Sequence, residues 1–136
     1  MKKIQLSRRL WLLLLGDSIV LALITLAGLG THDSLSLVAT RFLPNFVPAL
    51  AAWLLLAWPL GAYDEEQLGD WRQLWRPFWA MLLSAPLSAF LRALWLGSDT
   101  IFVVFVLVLS GLGSAVILLW RIIVWLYVKR RGASDG

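Results

Sequence analysis

Apolar residues fill four long stretches of this chain, and polar residues gather in the short gaps between them. The stretches cover about residues 10–30, 42–63, 75–96 and 101–128. Each is apolar on every face, and each has the roughly 20 residues a helix needs to cross a hydrocarbon core of about 30 Å. In lipid every backbone N–H and C=O must find its partner within the segment, so these runs predict helices. A closed barrel would need strands of alternating polarity instead. The expected fold class is all-α: an integral membrane protein whose four transmembrane helices form two antiparallel hairpins. A single four-helix domain over residues 1–131 accounts for the chain, with residues 132–136 as a short flexible tail.

The gaps carry most of the charge, and its sign is sorted. Lys2, Lys3, Arg8 and Arg9 precede the first stretch, Arg72 and Arg76 lie between the second and third, and Lys129, Arg130 and Arg131 follow the fourth. The only Lys or Arg in the other two gaps is Arg41. Such a bias predicts that both termini are cytoplasmic. The basic start and first apolar run also have the outline of a signal peptide, but Asp17 interrupts that run and the segment is read as a retained helix. Residues 97–100, Gly-Ser-Asp-Thr, predict a tight turn with Ser98 or Asp99 capping the fourth helix. The outer gap, residues 31–41, is expected to be a loop. Pro44 and Pro48 then fall in the first turns of the second helix, and Pro59 and Pro86 mark kinks.

Three charges stand inside the apolar stretches: Asp17, Arg92 and Arg121. Each costs roughly 2.5–3.5 kcal/mol at a helix centre on insertion scales. Counting inward at 1.5 Å per residue puts Asp17 and Arg121 at a common depth of roughly 10 Å. That predicts an interhelical ion pair. Arg92, near the outer end of the third helix, has Asp99, Asp33 or His32 within reach, or snorkels to the headgroups. The functional reading of these charges is a proton or substrate path, and the structural one is a pair that fixes helix register. A salt-bridged Asp17 is a poor proton carrier, which favours the structural reading.

His32 is the only imidazole. Ligation of a pigment or haem, or a hydrogen bond to a quinone, would suit an outer-loop histidine. Zinc or bis-histidine haem needs more ligands than one residue supplies, so a hydrogen-bonding or capping role is favoured. Asp17, Arg92, Arg121 and His32 are thus grouped as one intramembrane polar network.

Aromatic and small residues add detail. Trp71, Trp75 and Trp79 recur at a spacing of four, which places them on one face at the cytoplasmic boundary. Trp11, Trp58, Trp125, Tyr63 and Tyr127 fall near the same boundary, the pattern of an interfacial aromatic belt. The Trp71–Trp75–Trp79 stripe is a candidate partner or lipid surface. Small residues at Ser110, Gly111, Gly113, Ser114 and Ala115 match Ser84, Ala85, Ser88 and Ala89, and the two patches are expected to meet.

Composition narrows the functional classes. Of 136 residues only 15% are charged, against roughly 25% in an ordinary soluble domain. A soluble fold is excluded. There is no cysteine, and no glycine-rich phosphate loop, nucleophile–histidine set or HExxH motif is present. No catalytic or metal-ligating residue is expected, and the chain is not read as an enzyme. The net charge of +4 points to anionic lipid headgroups and not to nucleic acid.

Short motifs spread along the chain carry a family resemblance. They are Gly16-Asp17, Gly28 with His32, Pro86-Leu87, Leu91-Arg92, Phe102 with Val106, and Trp120-Arg121. In this order and spacing, over about residues 16–125, the chain resembles a small bacterial membrane family, domain of unknown function 3054. The second helix departs from the pattern, since a proline–phenylalanine pair stands here as Pro44-Asn45-Phe46. The resemblance implies a four-helix integral membrane protein and supplies no activity.

Two functions of different class follow. The first is a non-catalytic accessory subunit of a larger hetero-oligomeric membrane complex, foremost a respiratory or photosynthetic quinone-linked electron-transfer complex. It rests on short loops, the tryptophan stripe and an acidic inner loop of Asp64, Glu65, Glu66 and Asp70. The alternative is a small four-helix proton-coupled transporter acting as a dimer, attractive for its single acid in the first helix. A membrane enzyme acting on lipid or isoprenoid ranks last, because no helix carries an acidic pair for a metal–diphosphate site. The expected location is the bacterial inner membrane, multi-pass. The partners are lipids and other subunits, with lipid or quinone contact but no cofactor of its own.

Overall fold

The computed structural model describes residues 7–30, 35–98, 100–101 and 103–134. Among them are four α-helices: α1 (Arg8–Gly30), α2 (Leu35–Ala57), α3 (Trp75–Leu96) and α4 (Val103–Ser134). Two 3-10 turns, Glu65–Gln67 and Trp71–Gln73, lie between α2 and α3. The chain carries four helical stretches long and apolar enough to cross a membrane, Arg8–Leu29, Val38–Ala57, Trp71–Leu96 and Val106–Ser134. This is the make-up of a multi-pass membrane protein.

Many large apolar side chains face outward, and the buried stripes mix apolar residues with small and polar ones. On α1, Leu10, Leu13, Asp17 and Leu21 form a buried stripe at helical spacing, while Leu12, Leu15, Ile19 and Leu23 are exposed. On α4 the buried stripe is Gly113, Ser114, Ile117 and Arg121, and Val104, Leu107, Leu112 and Leu119 are exposed. Lipid tails are as apolar as leucine, so burying leucine between helices gains little. Close approach and hydrogen bonds hold the bundle instead. The packing is most extensive between α2 and α3, then between α3 and α4, then between α1 and α2. The α1–α4 seam, which closes the ring, is the sparsest of these four.

Several boundaries differ from the sequence expectation. The second helix begins at Leu35 and ends at Ala57, not at about 42 and 63. The outer connection is correspondingly short, and Pro44 and Pro48 lie in the helix interior. Each proline leaves the carbonyl four residues earlier without its N–H partner. Nearby, Asn45 Nδ2 donates to the Arg41 carbonyl at 2.7 Å. At the other end, Pro59 disfavours helical backbone at Trp58, and Gly61 turns left-handed at φ +76°. Ala62 N–H then bonds the Ala57 carbonyl and Gly61 N–H the Trp58 carbonyl, a Schellman termination. Gly97 ends α3 in the same way, with Ser98 N–H bonding Ala93 O.

Ser98 does not cap α4. Its hydroxyl accepts from Thr100 N–H at 3.3 Å within the turn, and Asp99 lies outside the described residues. The expected tail is partly helical, since α4 runs on to Ser134. Lys129 over Trp125 and Arg131 over Tyr127, each at 5.0 Å, are i, i+4 pairs that support this extension.

The two small-residue patches meet only in part. Gly113 lies against Met81, so a Cβ there would displace the end of the methionine side chain, and the Ser110 hydroxyl donates to the Leu82 carbonyl at 3.4 Å. That carbonyl is the one Pro86 deprives of its helical partner. Gly111 and Ala115 face outward, and Ser84 reaches across to the Ala52 carbonyl of α2. The small face of α3 therefore serves both of its neighbours.

Candidate functional site

The inward stripes of α1 and α4 bring Asp17 and Arg121 together. Arg121 Nη2 donates to Asp17 Oδ2 at 2.7 Å, with the two side chains 3% and 1% exposed. Both side chains are buried, so the surrounding groups decide whether the pair is tolerated. Tyr63 donates its hydroxyl to the same carboxylate oxygen at 2.6 Å, and Trp120 Nε1 donates to Asp17 Oδ1 at 2.8 Å. Trp53 Nε1 donates to the Tyr63 oxygen at 2.7 Å. Arg121 Nη1 donates to the Ala62 carbonyl at 2.7 Å. The guanidinium also lies 5.2 Å from the Tyr63 ring centre and 6.0 Å from that of Trp53. Both carboxylate oxygens accept, and two aromatic rings face the cation.

Local structure explains how these groups arrive. Trp120 lies across α1 at Gly16, where a Cβ would fall 2.2 Å from the indole ring. Gly16-Asp17 and Trp120-Arg121 thus interlock: the glycine admits the indole, and the indole N–H reaches the acid one residue on. The Schellman turn after α2 does the rest. It directs the Ala62 carbonyl at Arg121 and returns Tyr63 to the bundle. Tyr63 lies beyond the α2 span. Burial first, and the Asp17 carboxylate next, push its hydroxyl well above the ordinary phenol range, so it stays a donor.

Not all of the expected network assembles. Arg92 is separate from the pair, and its buried Nε has no hydrogen-bond partner among the described residues. Pro77 on α3 shares a cavity lining with Arg121, and Arg92 is 15 residues further along, about 22 Å at the helical rise. His32 and Asp33 lie outside the described residues. The tryptophan stripe divides between two elements: Trp71 sits in a 3-10 turn, while Trp75 and Trp79 open α3. All three are exposed. Arg72 and Arg76 lie 5.9 and 5.2 Å from the Trp71 and Trp75 ring centres.

Tyr63, Trp53, Trp120 and Ala62 are the members that residue reading missed. Tyr63 looked like part of the boundary belt, and nothing in its own position separates an inward ring from an interfacial one. Trp120 did carry a signal, because it precedes an intramembrane arginine just as Gly16 precedes an intramembrane acid.

A family model described as a protein of unknown function (DUF3054) matches residues 14–124. The chain belongs to this family. The matched span contains Gly16, Asp17, Trp53, Tyr63, Trp120 and Arg121, so the whole network lies within the family's domain. No curated protein and no solved structure matches the chain.

The arrangement fastens segments together. It ties α1, the turn after α2 and α4 at one level, across the sparsest seam of the ring. Among the described residues, no group of three or more metal-ligating side chains occurs. A second cavity, between Leu21, Thr25, Ser84 and Ser88, measures only about 10 Å³.

Proposed function

We propose that this protein is a non-catalytic accessory subunit of a larger membrane complex in the bacterial inner membrane, foremost a quinone-linked electron-transfer complex. Its termini are cytoplasmic and its helices form the hairpins α1–α2 and α3–α4. The contacts Met81 to Gly113 and Leu82 to Ser110 run in opposite senses along α3 and α4, which supports the second hairpin. The cations at the chain ends and at Arg72 and Arg76 support the orientation.

One observation carries the functional reading. Asp17, the only acid within the spans, spends both oxygens on donors from other segments, so it is a fastening and not a free proton carrier. The exposed Trp71, Trp75 and Trp79 supply the surface for a neighbouring subunit, and quinone or lipid contact belongs to the same face.

A photo-crosslinking amino acid at Trp75 or Trp79, activated in native membranes, tests this. Adducts to a distinct subunit are expected, and that subunit should co-purify in mild detergent. Adducts to lipid alone overturn the reading. Adducts to a second copy of the chain, with proton-coupled export in liposomes lost in Asp17→Asn, replace it with the dimeric transporter.

A further inference from the structure

The ion pair is sealed unevenly. On the Asp17 side, both oxygens are taken, by Tyr63 and Arg121 on one and Trp120 on the other, and Trp53 in turn donates to Tyr63. On the Arg121 side, Nε is buried with no hydrogen-bond partner among the described residues. A buried donor left unmade costs about 1–3 kcal/mol, more when charged, so an unpartnered guanidinium nitrogen calls for an acceptor.

Arg121 lines a cavity of about 30 Å³ between the turn after α2, the start of α3 and α4. Asp64, Asp70, Gln73 and Arg76 line it as well, and Val124 lines it from α4. A water needs about 10–15 Å³ and two to four polar partners, and this space supplies both for one or two molecules. An oxyanion such as phosphate is too large, and it would meet two carboxylates. A metal cation would meet two guanidinium groups.

Arg76 lines this space from the start of α3. Its Nε donates to Gln73 Oε1 at 2.8 Å and its Nη1 to the Leu60 carbonyl at 3.2 Å. Its ion pair with Asp64 is loose, at 3.6 Å, and the Asp64 side chain is 58% exposed. Gly61 makes the position available: a Cβ there would lie 2.0 Å from Arg76 Nη1.

We propose that this cavity is an internal water site through which Arg121 Nε is hydrogen-bonded to solvent at the basic end of the bundle, with the Arg76–Asp64 pair as its latch. The intramembrane ion pair then has aqueous access from one side only, through its cation. This holds whether or not the protein is an accessory subunit.

Hydroxyl-radical footprinting by X-ray radiolysis reads bound water directly, and it uses the unaltered protein in lipid nanodiscs. Val124, on the cavity, should be modified several-fold faster than its neighbour Ile123, which faces outward at the same depth. Equal rates at the two positions mean a dry cavity and overturn the water site. In Asp64→Asn the rate at Val124 should rise several-fold while that at Ile123 stays unchanged. No rise at Val124 overturns the latch. Because the water site is read on the wild-type chain, a variant that fails to fold does not mask that result.

Discussion

Asp17 has no counterpart among the other buried residues, because its removal leaves donors on two segments without an acceptor. Asp17→Leu strands the Arg121 cation in the bundle interior, and losing one partner of a buried pair costs about 3–5 kcal/mol. Arg121→Met should cost a similar amount for the mirror reason. The double variant replaces both charges by apolar groups and should be less destabilised than either single one. Unfolding in mixed detergent, followed by tryptophan fluorescence, gives the cycle. A double variant as unstable as the sum of the two would show that the charges do not act on each other. Tyr63→Phe is milder but informative. It removes one donor to Asp17 and leaves Trp53 Nε1 buried without an acceptor, a loss of about 1–3 kcal/mol by the same assay.

The elements depend on a few positions where backbone or space is unusual. Three glycines illustrate the difference. At Gly16 a methyl group would collide with the Trp120 ring, so Gly16→Ala should displace the indole and break its bond to Asp17. A Cβ added at Gly28 would meet no described atom within 4 Å, and Gly28→Ala should be neutral or slightly stabilising, because alanine is the better helix former. Gly97 has open space but a φ of +62°, so Gly97→Ala should cost only the backbone strain, about 1 kcal/mol. The predicted order of thermal stability is Gly28→Ala, then Gly97→Ala, then Gly16→Ala. Pro86 and Ser110 form another local unit, since the serine hydroxyl serves the carbonyl that the proline leaves open. Ser110→Ala should cost about 1 kcal/mol, near the range for interhelical hydrogen bonds in membranes. In a Pro86→Ala background, where the helix supplies its own donor, that cost should shrink.

The whole bundle is a ring with one thin seam. α2 and α3 pack extensively, whereas α1 meets α4 mainly around Gly16, Asp17, Trp120 and Arg121. Local opening begins where contacts are few, so the network governs how firmly α1 stays docked. In Asp17→Asn, amide hydrogen exchange should rise in α1 while α2 and α3 keep their protection. A uniform rise across all four helices would mean that the network supports the entire bundle and not the seam. The exposed tryptophan face lies on α3 and the turn before it. A partner held there would leave the seam free, so crosslinking at Trp75 should be unaffected by Asp17→Asn if the protein remains folded.

Four apolar spans were legible from residue order alone, because hydropathy and length add up along a chain without reference to its fold. The common depth of Asp17 and Arg121 needed only the 1.5 Å helical rise. Their meeting at 2.7 Å needed more: both side chains had to face inward, and that depends on how each helix is rotated. In lipid, helices that are apolar all round give no periodic signal to set that rotation. Close packing sets it, through Gly16 against Trp120 and Gly113 against Met81. The same cause hid Trp53, within an all-apolar stretch, and Tyr63 was hidden as well because an aromatic ring near a boundary suits either the headgroups or the interior. The early end of α2 also belongs to the tertiary structure. Pro59 and Gly61 mark a break in the sequence, but only the folded bundle shows that the break exists to bring Ala62 and Tyr63 to the ion pair.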